Sequence, residues 1–440
     1  MMKPGILYAA VAALTLQPIA ATAATQAAPV AAYRSASLPT SGAVDAFYSR
    51  WRYAPIWFSG NAAKPAAQQL MQILNRAPVD GLASGPQLAA QVQSALQQAA
   101  TGNPAAITAA ERTLSAAWVM YVQSLKRATP GMIYAYDVLK PQGTRADQIL
   151  LTASGAPSLE QHLRTLSSVN SVYTQIRDAE WARMQSVGSS TPDPRVIANL
   201  DRVRSIPATG KFAVVDSATQ RLLMFENGVA VDSMKVVVGD KKKLGLPTPM
   251  LASVMYYVVH NPYWNVPHHL VRKTVAPGVL SQGNAYLKAR GYEVMKDWSA
   301  GSEAIDPKTV DWKAVKEGSV QVRIRQKPSG ANSMGDLKFP FNNPEDIFLH
   351  DTPMRSYFNL ASRDKSNGCV RLEDAHRFAK WLLAHEPVKP SNGAEQFEQM
   401  RKGVPIYTTY ITAQPQNGQM AFVPDIYDWD PAGATQVAAK

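Results

Sequence analysis

Cysteine is almost missing: Cys369 is the only one in 440 residues. A single thiol cannot close an internal disulfide, so it pairs between chains, packs inertly, or reacts. Histidine is sparse too, with 7 in the chain. His260, His268 and His269 lack a carboxylate or thiol at ligand spacing, and a Cys/His zinc site needs four ligands, so no metal is expected. Past the first residues no run reaches 18 uninterrupted apolar positions, which excludes an obvious membrane-spanning helix. Neither a zinc-finger spacing nor an aromatic- and glycine-rich RNA-binding signature is present, which sets nucleic acid aside. Acidic residues are outnumbered by basic ones, 33 against 45, for a formal charge of +12. That excess suits an anionic polymer as counterpart.

What is present begins with Met1-Met2-Lys3, an apolar stretch from Ile6 to Leu16, and Ala21-Thr22-Ala23. A charged start, a short apolar segment and a small-residue cleavage site make residues 1–23 an expected signal peptide. No cysteine follows it, so a lipid anchor is not expected. The mature chain is then expected in the periplasm, where its positive charge meets cell-wall carboxylates. Residues 24–43, rich in Ala, Pro, Ser and Thr, read as a flexible leader. The length predicts two domains.

From Val44 the pattern is helical and aromatic: Phe47, Tyr48, Trp51 and Tyr53, then Leu70, Ile73 and Leu74 at helical spacing. Further helices are predicted over 86–99, 108–127 and 158–184. Within the second, Leu114, Trp118, Tyr121, Val122 and Leu125 form one stripe, read as core. Composition shifts to Ser, Gly, Thr and Pro around 186–194. A short helix over 196–203 follows, and then strand-like runs at 211–216, 220–226 and 229–238. Asn227-Gly228 supplies a hairpin turn between the last two. More strands are predicted at 253–259, 319–326, 346–350 and 404–411, and a helix over 373–386. The expected fold class is α+β. A helical domain over 44–195 precedes a mostly antiparallel β-sandwich over 196–430, with a frayed tail over 431–440. An irregular insertion at about 265–318, bearing Tyr286, Tyr292, Trp298 and Trp312, is either a lid or a long connection.

His350 closes a short apolar run, Ile347-Phe348-Leu349, and Cys369 follows a Ser366-Asn367-Gly368 turn. A free thiol has a pKa of ~8.5 and is mostly protonated at neutral pH. A neighbouring imidazole can take that proton, hold the ion pair, and return the proton to a departing amine. Gly368 lets the backbone turn sharply, so that N–H groups face a developing oxyanion. This chemistry is acyl transfer with Cys369 as nucleophile, His350 as base and the Gly368 backbone in the oxyanion hole. An inert buried cysteine is the competing reading.

The stretch Leu349-His350-Asp351-Thr352, followed by Ser366-Asn367-Gly368-Cys369-Val370-Arg371, resembles the bacterial L,D-transpeptidases. More specifically it is similar to their long periplasmic form with a helical scaffold domain. Val196-Ile-Ala-Asn-Leu-Asp201, Val237-Val-Gly239, Asn261-Pro-Tyr-Trp-Asn-Val-Pro267 and Val322-Arg-Ile-Arg-Gln-Lys-Pro328 fit that form too. The resemblance implies a tetrapeptide stem of peptidoglycan as donor and a diamino-acid amine on a second stem as acceptor. It implies loss of terminal D-alanine, a 3→3 crosslink, and covalent inhibition by β-lactams of the carbapenem class. No cofactor is implied. Arg371, Asn367, Ser366, Tyr357, Trp264 and Asn265 become candidate substrate-binding residues, and Arg363 and Lys365 possible partners for stem carboxylates.

The sequence departs from the pattern at Asn367, where a histidine is usual, so the base is assigned to His350 and Asn367 a turn role. His268-His269 stand where small or apolar residues are expected, and no peptidoglycan-binding module is evident between about 150 and 195. Asp351, adjacent to His350 on a strand, points to the other face, so a backbone carbonyl is expected to fix the imidazole tautomer. A thiol-dependent wall hydrolase (L,D-carboxypeptidase or amidohydrolase) and a non-enzymatic wall-associated scaffold stand as alternatives.

Overall fold

The computed structural model describes residues 41–51, 55–297, 299, 301–388, 390 and 393–431. The expected signal peptide, nearly all of the leader, Tyr53, Trp298 and the tail beyond Pro431 lie outside them. Among the described residues no helix is long and apolar enough to cross a membrane.

The first half is helical. Helix Pro104–Leu125 begins where the Asn103 side chain accepts from the Ala105 and Ala106 amides at 2.8 and 3.4 Å. Such a cap satisfies amides that have no partner inside the helix. Its aromatic stripe is core, with Leu114, Trp118 and Tyr121 fully buried. The single helix expected over 158–184 is two, Leu159–Ser167 and Ser171–Val187. Asn170 makes the break: its side chain accepts from the Tyr173 amide at 2.8 Å and donates to the Val203 and Ile206 carbonyls. A side chain that caps from outside competes with continuing the helix.

The second half contains eight strands that form a ring. They are β1 (Lys211–Asp216), β2 (Arg221–Glu226), β3 (Val229–Gly239), β4 (Leu251–His260), β5 (Leu337–Phe339), β6 (Leu349–His350), β7 (Val370–Leu372) and β8 (Gln396–Thr409). The pairing order is β5-β6-β7-β3-β2-β1-β8-β4, and β4 pairs back onto β5. The sandwich expected from the sequence is therefore corrected to a closed barrel. Six of the eight interfaces are antiparallel, while β6–β7 and β1–β8 are parallel. Closure leaves these strands without a free edge. The β2–β3 hairpin turns at Asn227-Gly228, both at positive φ (52° and 83°), as that residue pair permits.

The strand β1 is buried on both faces, which explains its near-continuous apolar sequence. Phe212 and Val214 face the helical half, and Ala213 and Val215 face the barrel core. The two halves thus share one hydrophobic cluster, which runs from Trp118 and Tyr173 to Phe225, Tyr407 and Ile411. A short strand of the helical half, Ile133–Tyr134, adds in parallel to β4. Helix Pro194–Val203 seals the junction, with Asn199 accepting from the Thr412 and Ala413 amides at 2.7 and 3.1 Å.

The insertion is a folded unit rather than a loose connection. Strands Trp264–Asn265, Arg323–Gln326 and Tyr292–Met295 form a three-stranded sheet. Val266, Val271, Val279, Trp312, Val315 and Ile324 belong to a hydrophobic cluster of its own.

Candidate active site

Side chains alternate across a strand, so each short strand of the barrel wall sends every second residue outward. Leu337, Phe339, Leu349, Val370 and Leu372 point into the core, each at most 1% exposed. Between and beside them stand Lys338 on β5, Phe348 and His350 at β6, and Cys369 and Arg371 at β7. The parallel register Leu349↔Val370 and His350↔Arg371 brings Cys369 level with Phe348, one diagonal step from His350. The Val370 amide bonds to the Phe348 carbonyl at 3.1 Å, which fixes that level. On the other side, Lys338 is the antiparallel partner of His350. Ring contacts confirm the shared face: Phe348 meets His350 edge-on at 5.7 Å, and Lys338 Nζ lies 4.0 Å above the Phe348 ring.

His350 is 3% exposed, and its Nδ1 is 2.6 Å from the Asp351 carbonyl oxygen. Donation from Nδ1 leaves Nε2 as the basic nitrogen. A main-chain carbonyl therefore orients the ring. The Asp351 carboxylate is turned away, accepting from the Asp336 amide (2.9 Å) and from Arg355 (2.6 Å). Burial first, then the Arg371 charge, pushes the imidazole down to about 3, against the pull of the Asp351 carbonyl.

Cys369 keeps part of its surface open, although its sulfur is densely surrounded. Burial raises the thiol above its ordinary range, while the Phe348 amide and the charges of Lys338 and Arg371 pull it down. Burial thus acts against both the thiolate and the imidazolium. Both shifts favour a neutral thiol and a neutral imidazole at rest.

The turn before Cys369 is built from Ser366 and Gly368. Ser366 Oγ donates to the Cys369 carbonyl at 2.5 Å and accepts from the Gly368 amide at 3.2 Å. Ser366 is 2% exposed, so it shapes the turn and does not line a binding surface. The Gly368 amide is likewise committed within the turn, to Ser366 Oγ. Gly368 has φ +106°, and a Cβ there would lie 3.0 Å from Ile347 Cδ1. Its carbonyl accepts from Thr248 Oγ1 at 2.7 Å, and the same hydroxyl accepts from the Gly239 amide at 2.9 Å. Thr248 therefore ties the end of β3 to the turn. Its part was not visible in the sequence, where it is one hydroxyl 121 positions before the cysteine.

The other named residues divide. Arg371 packs its guanidinium 5.4 Å from the Tyr357 ring and reaches Met354 Sδ at 3.5 Å, and its Nε is buried without a partner among the described residues. Tyr357 thus belongs to the site through Arg371. Asn367 is partly exposed and shares a side-chain hydrogen bond with His269 of the insertion. Trp264, by contrast, packs in the insertion's own cluster, 6.5 Å from Tyr292, and Asn265 is an exposed strand residue paired with Arg325. No hydrogen bond or ring contact among the described residues joins either to the Cys369 cluster, and the strand that carries them belongs to a separate sheet.

Arg363 is spent on carbonyls, donating to Val236 (3.1 Å), Leu360 (3.0 Å) and Gln220 (3.1 Å). Lys365 turns to Asp364 at 3.1 Å. His260 Nε2 meets Glu398 at 2.6 Å, and among the described residues no three His, Cys, Asp or Glu side chains converge as a metal site.

Residues 210–389, which include the Cys369 cluster, match the model of the YkuD family, the L,D-transpeptidase catalytic domain. Residues 42–179 match the model of the Scaffold domain. A Haemophilus influenzae protein provisionally named an L,D-transpeptidase is 24% identical over 392 residues, covering 87% of this chain and 77% of that one. A solved L,D-transpeptidase from Xylanimonas cellulosilytica matches at 16% identity over 53% of this chain and 79% of its own. Its TM-score of 0.18 is too low to bear on the fold. The chain thus carries a YkuD L,D-transpeptidase catalytic domain around Cys369 and a Scaffold domain before it.

Proposed function

We propose that the chain is an exported peptidoglycan L,D-transpeptidase that forms 3→3 crosslinks through a thioester on Cys369. The observation that carries this reading is the parallel register of β6 and β7, with Cys369 and His350 on one outward face. In the proposed reaction a tetrapeptide stem lies over that face. His350 Nε2 takes the thiol proton as the sulfur attacks the carbonyl of the third stem residue. The Asp351 and Ser333 carbonyls both favour the protonated ring and so ease this transfer. The Cys369 peptide N–H meets the oxyanion, a type of contact worth roughly 3 kcal/mol in measured systems. The C–N bond to D-alanine breaks, and the imidazolium returns its proton to the departing amine. An amine on a second stem then attacks the thioester, closes the crosslink and frees the thiol. Arg371, with its unpartnered Nε, is the proposed partner of a stem carboxylate.

The test is muropeptide analysis after incubation with a tetrapeptide-rich wall. Tetra–tri dimers are expected from the wild type and absent with Cys369→Ala. The same dimers from the alanine variant overturn the reading, and tripeptide stems without dimers turn it into an L,D-carboxypeptidase. A carbapenem is expected to add its mass to the intact protein at Cys369. Export is tested by the amino terminus of the mature protein, expected at Ala24.

A further inference from the structure

Lys338 has no task in the reaction above, yet its position is unusual for a lysine. Strand β5 is only three residues long, and its outer neighbours are His350 on β6 and Phe348 just before that strand. The Lys338 ammonium is seated 4.0 Å over the Phe348 ring, and the residue is half-buried. The Glu395 and Asp346 carboxylates act on it through charge alone, without a hydrogen bond to either. Covering an ammonium without pairing it carries a desolvation cost, which a face-on aromatic offsets only in part. The seat also has a direction. Phe348 is level with Cys369 in the β6–β7 register, so the ammonium stands at the sulfur's end of the cluster. Arg371 stands at the opposite end, level with His350 and drawn toward Tyr357 and Met354.

We propose that Lys338 is the counter-cation of Cys369: seated on Phe348, it holds the negative charge that the sulfur acquires when His350 removes its proton. Lys338 acts through the sulfur and is a positioning residue. The proton moves from Sγ to His350 Nε2 and nothing is oxidised or reduced. The proposal rests on the acyl-transfer reading, and it assigns thiolate stabilisation to a fixed ammonium in place of an imidazolium. Charged groups on several elements act on the sulfur and on the lysine. Arg371 and Lys338 favour its charge and Asp346 opposes it, while Glu395 and Asp346 act on Lys338. His350 stays neutral at rest, and the insertion reaches this side through the bond between His269 and Asn367. Cys369 Sγ is also 3.8 Å from the Asp346 carbonyl oxygen, an acceptor for the thiol proton only.

The experiment is alkylation of the full chain by iodoacetamide across pH, read by intact mass, with Cys369→Ala as the blank. Lys338→Met is expected to raise the midpoint of reactivity by about one pH unit, which is roughly tenfold slower labelling near neutral pH. Lys338→Arg, which keeps the charge, is expected to return most of the rate. An unmoved midpoint in Lys338→Met overturns the proposal, as does a Lys338→Arg midpoint displaced as far as that of methionine. If Lys338→Met does not fold, Phe348→Leu removes the seat and keeps the lysine. A raised midpoint there supports the proposal and an unchanged one overturns it. The probe needs no peptidoglycan, so the two readings fail separately. Wild-type dimers with an unmoved midpoint reject only the role of Lys338, and a moved midpoint without wild-type dimers rejects only the transpeptidase.

Discussion

A thiol and an imidazole that both rest neutral set the pH behaviour of the site at the scale of single residues. Burial holds His350 at about 3, so the ring stays unprotonated across the working range. The thiol is raised, so its ionised fraction climbs only toward alkaline pH. The rate of Cys369 acylation by a carbapenem is accordingly expected to rise with pH above neutrality. It should show no acid limb near the ordinary histidine value of 6.5. A bell with that limb contradicts the neutral resting pair. Gly368 is the second residue whose chemistry is fixed by one angle. Gly368→Ala sets a β-carbon at φ +106° and 3.0 Å from Ile347. The expected result is a loss of about 1–3 kcal/mol in unfolding free energy with a larger fall in acylation rate, measured by denaturant titration and intact mass.

Elements decide what the turn leans on. The loop before β6 is held by Asn343, which donates to the Phe341 and Ile347 carbonyls (3.0 and 2.7 Å) and accepts from the Glu345 and Ile347 amides (3.2 and 2.9 Å). That clamp keeps Asp346 at φ +50°, with its carbonyl turned to the sulfur. Asn343→Ala is expected to lower stability by about 1–2 kcal/mol and to change the iodoacetamide reactivity of Cys369. Asn170→Ala removes a helix cap of similar worth, about 1 kcal/mol, from the far half and should leave that reactivity as it was. Equal effects on the sulfur from both would show that general loosening, and not the loop, controls it. The insertion belongs to this scale as well. Its own sheet and core make it a unit that can keep one shape while it meets the Ser366-Asn367-Gly368 turn at Asn367.

The whole molecule behaves as one body where the two halves share a core. Phe212, Val214 and Tyr407 of the barrel are in the same cluster as Trp118 and Tyr173. Trp118→Ala is expected to cost about 3–5 kcal/mol and to shift a single thermal transition, seen alike by near-UV dichroism and by exposure of Cys369. Two separated transitions would show the halves uncoupled. The response of stability to acid is also a property of the whole chain, and two buried groups pull it in opposite directions. His350 titrates near 3 when folded against an ordinary 6.5, so its contribution is present above pH 6.5 and is lost as pH falls toward 3. Asp216 titrates near 6 against an ordinary 3.8, so its contribution is present below 3.8 and is lost as pH rises through 6. His350→Gln removes the first alone. The difference in Tm between variant and wild type should become more positive from about pH 7 to about pH 4. A constant difference would show that His350 is not held neutral by the fold.

The order of the chain by itself determined the two-part organisation, the stripe of Leu114, Trp118 and Tyr121, the Asn227-Gly228 hairpin, and the pairing of a lone cysteine with an upstream histidine. Those features depend on periodicity, turn chemistry and residue type, which are local. Folding in three dimensions decided the rest. Barrel closure is a hydrogen-bonded pairing between β4 and β5, strands separated by the whole insertion, and no local pattern encodes it. Lys338, Thr248 and Asn343 join Cys369 only through strand register and loop geometry, and Trp264 leaves it for the same reason. Even the charge states of the thiol and the imidazole followed from burial, a quantity that exists only once distant segments have packed around them.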